Sequence, residues 1–196
     1  MYQIYGSPKT RALRVTWLLE ELGQPYDVDP VGPGDAKVKE LNGSGKVPVL
    51  VEGEAVLSDS TAIMTYLADK HGALTFPAGT LDRARQDALT HTILDEFDAI
   101  LWTAARHSFV LPQDQRVPAI KESLVWEFSR NAARLAERFE GPFLMGETMT
   151  IADIICAHCL SWAKNAGFPI ESEVLSEYGK AMRARPAFRR AIGQPA

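Results

Sequence analysis

The hydrophobic positions of this chain change their period partway along it. Up to about residue 72, short apolar runs alternate with helical patterns. Met1–Tyr5 reads as a strand. Thr10–Leu22 reads as a helix, with Leu13, Trp17, Leu18 and Leu22 on one face and Gly23 as its stop. Tyr26–Asp29 is a second short strand and Asp35–Leu41 a weak helix. Val47–Val51 and Ala55–Leu57 pair as a hairpin around Glu52-Gly53-Glu54. Ser60–Lys70 is a helix closed by His71-Gly72.

Beyond Ala73–Gly79, a linker holding Pro77 and Gly79, strand signals vanish. Leu81 to about Arg106, Val117–Glu140, Ile151–Ala166 and Glu173–Arg185 carry helical periodicity, and Pro186 can open a last short helix. The expected architecture is α/β followed by all-α: a small mixed domain over residues 1–73 and an all-helical one over 80–196.

Composition narrows the class. With 196 residues, 46% of them hydrophobic, the chain can bury a core. A net charge of −4 and no arginine-rich arm argue against nucleic acid as the main partner. No apolar run approaches the roughly 18 residues of a membrane span. The strand-like start lacks the charged and apolar regions of a signal peptide, so the expected location is cytoplasmic. Two cysteines, Cys156 and Cys159, cannot build a disulfide framework. They flank His158 inside an apolar helix with no second ligand pair, so they read as buried structural thiols, and no metal site is expected.

Two features carry chemistry. Pro48 opens an apolar strand, where a cis bond can aim the preceding residue outward. The main-chain groups of Val47 are then free to pair with an extended peptide. Asp59-Ser60 opens the next helix, whose first-turn N–H groups, Ser60 hydroxyl and dipole form a carboxylate site. A main-chain clamp beside a carboxylate clamp suits a small peptidic acid. Asp59 and Ser60 also serve simply as cap residues.

These stretches resemble the glutathione transferase family. Its elements here are Tyr5-Gly6-Ser7-Pro8-Lys9-Thr10-Arg11, Trp17–Gly23, Gly45-Lys46-Val47-Pro48-Val49-Leu50, Asp59-Ser60-Thr61-Ala62-Ile63 and the later Thr150-Ile151-Ala152-Asp153. The resemblance covers nearly the whole chain and implies an N-terminal thioredoxin-like domain followed by an all-helical one. The chain departs from the family pattern twice. Asp59-Ser60 replaces the common Glu-Ser, and Gly43-Ser44 replaces a loop proline, which implies a more flexible loop.

The resemblance implies a glutathione-binding set of Lys46, Val47, Pro48, Asp59 and Ser60. Lys46 would reach the glycine carboxylate, Ser60 the γ-glutamyl carboxylate and Asp59 its ammonium. Thr10 falls where the family places its thiol-activating residue, although the same hydroxyl suits an N-cap. Ser7, which also fits turn chemistry before Pro8, and Tyr5, which also fits a strand aromatic, are the competitors. Trp102, His107 and Phe109 are candidates for an apolar acceptor pocket, with Trp102 and Phe109 equally suited to a helical core. Glutathione would be a co-substrate, with no tightly bound cofactor, and the second substrate a small hydrophobic electrophile, as in detoxification. The resemblance further implies a homodimer.

Two rival functions follow from the same residues. A binding or regulatory protein could keep this fold without turnover, because the Thr10 methyl could crowd a sulfur. A thiol–disulfide exchange enzyme is disfavoured, since neither Ser7 nor Thr10 is cysteine. Thr150 and Asp153 read as a structural capping box, and the basic residues from Lys180 to Arg190 as a solvated helix face.

Overall fold

A computed structural model describes residues 1–194. They divide into two units, one of residues 1–78 together with 183–194 and one of Gly79–Met182. The first boundary falls in the linker expected from the sequence. The second does not follow the sequence reading, which ran the helical domain on from residue 80 without a break.

In the first unit the order is β1 (Tyr2–Tyr5), α1 (Ala12–Glu21), β2 (Tyr26–Asp29), α2 (Ala36–Leu41), β3 (Val49–Glu52), β4 (Ala55–Ser58) and α3 (Ser60–His71). The four strands form one sheet in the order β2-β1-β3-β4. β1 runs parallel to β2, while β3 is antiparallel to both β1 and β4. This is the thioredoxin-like arrangement. Its core contains Ile4, Trp17, Leu18, Leu50, Ile63 and Leu67, all without solvent exposure. Each such side chain contributes roughly 1.5–3 kcal/mol through burial. Gly72 ends α3 in the left-handed conformation at φ 63°, which a glycine adopts without steric cost.

Several boundaries differ from the sequence pattern for identifiable reasons. α1 starts at Ala12 instead of Thr10, because the Thr10 N–H and hydroxyl both bond back to the Ser7 carbonyl and form a turn. β3 starts at Val49 instead of Val47, because Pro48 has no N–H to give the ladder. Asp35 is the N-cap of α2, its carboxylate accepting from Lys37 N–H at 2.9 Å.

The second unit is helical: α4 (Leu81–Ile93), α5 (Ala99–Ala105), α6 (Ile120–Glu137), α7 (Ile151–Asn165) and α8 (Glu173–Ala184), which runs to the unit boundary. The single helix expected from Leu81 to Arg106 is interrupted. π-turns occupy Leu94–Asp98 and Arg106–Val110 on either side of α5. Each shifts the register, and the first leaves the Glu96 carbonyl to accept from the buried Asn131 amide at 2.9 Å. α6 starts at Ile120 rather than Val117, since the residue before Pro118 is driven out of helical geometry. Phe97, Phe128 and Phe168 stack edge to face at 5.3 and 5.4 Å in the core.

At the start of α7 the fully buried Asp153 carboxylate accepts from Thr150 N–H, Leu144 N–H and Tyr178 O–H at 2.8, 2.8 and 2.9 Å. Burial pushes this carboxyl above its ordinary value, and those donors oppose the rise. Cys156 and Cys159 are buried free thiols, and burial raises Cys156 well above the usual thiol range. Among the described residues no cluster of His, Cys, Asp and Glu could hold a metal ion. Among the described residues no helix is long and apolar enough to cross a membrane.

The last helix, α9 (Pro186–Ala191), returns to the first unit and packs on α1. The sequence reading treated Lys180 to Arg190 as a solvated face. The structure corrects this for two residues. Arg185 holds Glu21 through two bonds of 2.6 and 2.8 Å, and Arg190 holds Glu20 at 2.6 Å.

Candidate functional site

The site is built around Gly6, the residue that follows β1. A methyl group placed on Gly6 would lie 2.6 Å from the Ala12 Cβ, 3.3 Å from the Val47 Cβ and 3.7 Å from the Pro48 Cα. Gly6 also sits at φ 143°, in the range that favours glycine. The strand end, the first turn of α1 and the Val47-Pro48 segment therefore meet where no side chain fits.

From this point the chain makes the Ser7–Thr10 turn. The Thr10 N–H and hydroxyl donate to the Ser7 carbonyl at 3.0 and 2.8 Å, and the hydroxyl accepts from the Ala12 N–H at 3.2 Å. Thr10 thus closes the turn just before Arg11, the N-cap of α1, with its hydroxyl proton committed to a main-chain carbonyl. Ser7 and Thr10 are both half-buried. Tyr5 is the last residue of β1, opposite Asp29 on one side and Val49 on the other, and is half-buried as well.

The peptide bond between Val47 and Pro48 is cis, as the sequence suggested. Pro48 is buried and Val47 half-buried. The main-chain N–H and C=O of Val47 take no hydrogen-bond partner among the described residues. The β3–β4 register pairs Val49 with Ser58, so the chain leaves β4 directly beside this segment and enters Asp59-Ser60.

Asp59 turns the corner at φ 72° and ψ 122°, an uncommon conformation for a non-glycine residue. Its carboxylate accepts from the Thr61 and Ala62 N–H groups at 2.9 and 3.0 Å, as a helix cap does. Ser60 is 3% exposed, and its hydroxyl has no partner among the described residues. Ser60 heads a 12-residue helix, so its own N–H and hydroxyl face the positive end of the dipole.

Lys46 is exposed at the end of a loop that closes on itself. The Asn42 amide donates to the Lys46 carbonyl at 3.0 Å, and its oxygen accepts from the Ser44 N–H and hydroxyl at 3.2 and 2.9 Å. The Lys46 N–H in turn donates to the Ser44 hydroxyl at 3.3 Å. Gly43-Ser44 was expected to loosen this loop, whereas Ser44 and Asn42 hold it. Neither residue was singled out from the sequence, although Asn two positions before Ser is an Asx-turn signal. On α2, Lys37 pairs with Asp29 at 2.7 Å, and that hydrogen bond holds its ammonium above the usual lysine range.

The three residues expected to line an acceptor pocket lie in the second unit. Trp102 is a half-buried residue of α5. His107 is half-buried in the second π-turn, where its Nδ1 accepts the Val117 N–H at 3.1 Å. Phe109, in the same turn, is 68% exposed. The His107 contact ties down the loop after the turn, a structural task that the sequence did not reveal.

The first domain thus sets a main-chain segment without a partner before Pro48 in the same small fold as a serine at a helix N-terminus, an arrangement suited to a small peptidic acid. Residues 1–75 match the family described as glutathione S-transferase, N-terminal domain. The chain is 25% identical to glutathione S-transferase 3 of Zea mays over 97% of its own length and 92% of that protein's. It superposes on a glutathione transferase from Methylococcus capsulatus strain Bath with a TM-score of 0.86, at 25% identity over 98% of both chains. In fold it also matches a glutathione transferase family member from Pseudomonas fluorescens Pf-5 that was solved with two glutathione molecules bound. That TM-score is 0.82, at 22% identity over 99% of this chain and 93% of the other. The first domain thus matches the glutathione S-transferase N-terminal domain family, and the whole chain shares the fold of glutathione transferases.

Proposed function

We propose that the protein binds glutathione in its first domain, ionises the bound thiol and transfers the sulfur to a small hydrophobic electrophile. The observation that carries this reading is the convergence at Gly6: the unpaired main chain of Val47, the turn bearing Thr10, and the β3–β4 register that leads to Ser60. Val47 pairs with the peptide backbone of the ligand as an added strand. The Ser60 N–H and hydroxyl take the γ-glutamyl carboxylate, Asp59 faces its ammonium, and Lys46 faces the glycine carboxylate. The bound structures of fold relatives support glutathione as the ligand.

The chemical task is to lower the thiol pKa. A free cysteine thiol with pKa about 8.5 is roughly 3% ionised at pH 7, and a fall of two units, about 2.7 kcal/mol, gives roughly 75% thiolate. The first turn of α1 supplies its dipole, and the Thr10 hydroxyl supplies a donor once it rotates away from the Ser7 carbonyl. The thiolate then attacks the electrophilic carbon, forming the C–S bond while the leaving group departs with the bonding electron pair. With a hydroperoxide the same thiolate would attack the outer oxygen, forming the S–O bond as the O–O bond breaks and the alkoxide leaves with the electron pair. Trp102, His107 and Phe109 are proposed to receive the electrophile, and the protein is proposed to work as a cytoplasmic homodimer.

The test is glutathione titration calorimetry combined with thiolate absorbance and turnover of an activated aryl chloride. Binding, a bound-thiol pKa below 8 and turnover are expected. No binding would overturn the reading. Binding without ionisation or turnover would make the protein a glutathione-binding member of the fold without transferase activity.

A further inference from the structure

We infer that Arg185 and Phe188 on the segment carrying α9 are positioning residues for the thiol-activating turn at the opposite end of α1; this rests on the function proposed above.

α1 is buried along eight successive residues, from Ala12 to Leu19. A helix packed on a sheet with one neighbouring helix keeps a solvent-exposed stripe, and this stretch has none, since even its polar Arg14 and Thr16 are buried. α1 packs against β1, α3 and α9. α9 covers the Trp17 face: the Phe188 ring meets the fully buried Trp17 indole at 4.8 Å, nearly edge-on.

Polar bonds then fix the C-terminal end of α1. Arg185 grips the Glu21 carboxylate with Nε and Nη2, and Glu21 Oε1 also accepts the Trp17 indole N–H at 3.0 Å. Arg190 grips Glu20, whose other oxygen accepts the Tyr26 hydroxyl at 2.8 Å. Two-pronged arginine–carboxylate pairs hold orientation as well as distance, and cations at a helix C-terminus complement its dipole.

The N-terminal end of α1 has no slack. Ala12 sits against Gly6, with room for no added methyl, and its N–H bonds the Thr10 hydroxyl. α1 is 10 residues long and so moves as a stiff rod. A shift allowed at Trp17 and Glu21 is carried to Ala12 and then to Thr10. Released from α9, α1 would change the distance from its first turn to a bound sulfur, and with it the thiol pKa.

The test uses the full chain and its Phe188→Ala and Arg185→Met variants, with Phe188→Leu as the milder substitute where Phe188→Ala does not fold. Phe128→Leu, in the core of the second unit, serves as a variant of comparable lost stability. Thiolate absorbance of bound glutathione against pH is read well below each melting temperature. The expected result is a rise in bound-thiol pKa of about half a unit or more, a threefold fall in the thiolate-to-thiol ratio, for the α9 variants only. Amide hydrogen exchange at Thr10–Leu13 is read in the same proteins without ligand, and should be at least about threefold faster in the α9 variants only. An unshifted thiol and unchanged exchange in the α9 variants would overturn the inference, as would equal changes in Phe128→Leu. A parent protein with no bound thiolate would sink the proposed function, and amide exchange alone would then decide whether α9 positions the turn.

Discussion

The Thr10 hydroxyl gives its proton to the Ser7 carbonyl at 2.8 Å while taking the Ala12 N–H at 3.2 Å. One oxygen thus closes the turn and takes the N–H of the first residue of α1. Donating to a sulfur instead means surrendering the Ser7 bond, worth about 1 kcal/mol net, for a charge-assisted one worth about 1.5–3 kcal/mol. On the proposed function, the exchange would favour the thiolate once a ligand is seated.

Thr10→Val removes that donor and keeps the shape. Turnover at pH 7 should fall at least about tenfold and the bound-thiol pKa should rise, with glutathione affinity kept within about tenfold because the clamps lie elsewhere. Loss of the turn bonds should lower stability by about 1 kcal/mol in urea denaturation. Full turnover in Thr10→Val, with turnover lost in Ser7→Ala or Tyr5→Phe, would move the role to that residue.

Ser60→Ala should weaken glutathione binding by about 1–3 kcal/mol, roughly 5- to 150-fold, since the nearly buried hydroxyl has no partner among the described residues to lose. Stability should change little. Calorimetry with an unaltered Kd would take Ser60 out of the site.

Asp59 separates two roles. Asp59→Asn keeps an acceptor for the Thr61 and Ala62 N–H groups and should cost at most about 1 kcal/mol of stability, the value of a charge at a helix N-terminus. Asp59→Ala loses the cap and should cost about 1–2 kcal/mol. If Asp59 also faces the ligand ammonium, Asn should bind glutathione at least about fivefold more weakly than the parent. Equal affinities would leave Asp59 as a cap alone.

Gly6→Ala should be the most damaging of these changes. Its new methyl meets the Ala12 Cβ at 2.6 Å and the backbone sits at φ 143°. A loss of about 2–4 kcal/mol is expected from overpacking and backbone strain together. A thermal melt within about 3 °C of the parent would show that α1 can shift away from the strand end.

The sequence showed what local chemistry dictates. Pro48 announced its own geometry, Asp59-Ser60 its helix start, and Pro77 with Gly79 the first domain boundary. The hidden features depend on partners distant in sequence or on register. The π-turns at Leu94–Asp98 and Arg106–Val110 add a residue to a turn without disturbing the apolar pattern enough to be noticed. The Arg185–Glu21 pair joins residues 164 positions apart, and surface arginines on a short helix look the same whether solvated or bonded. In the candidate site, the place of Ser60 at a helix start was legible because a helix start is local. The double bonding of Thr10 was not, because a hydroxyl at a helix start suits either partner.

Because residues 183–194 belong with residues 1–78, the first domain is encoded in two pieces with the whole second unit between them. On the ribosome, Gly79–Met182 is synthesised while Trp17 still waits for Phe188. The half proposed to bind glutathione is begun before the second unit and completed after it. A nascent chain halted before Arg183 would leave the Trp17 indole without Phe188 against it, an apolar face of the kind that draws incomplete chains into aggregates.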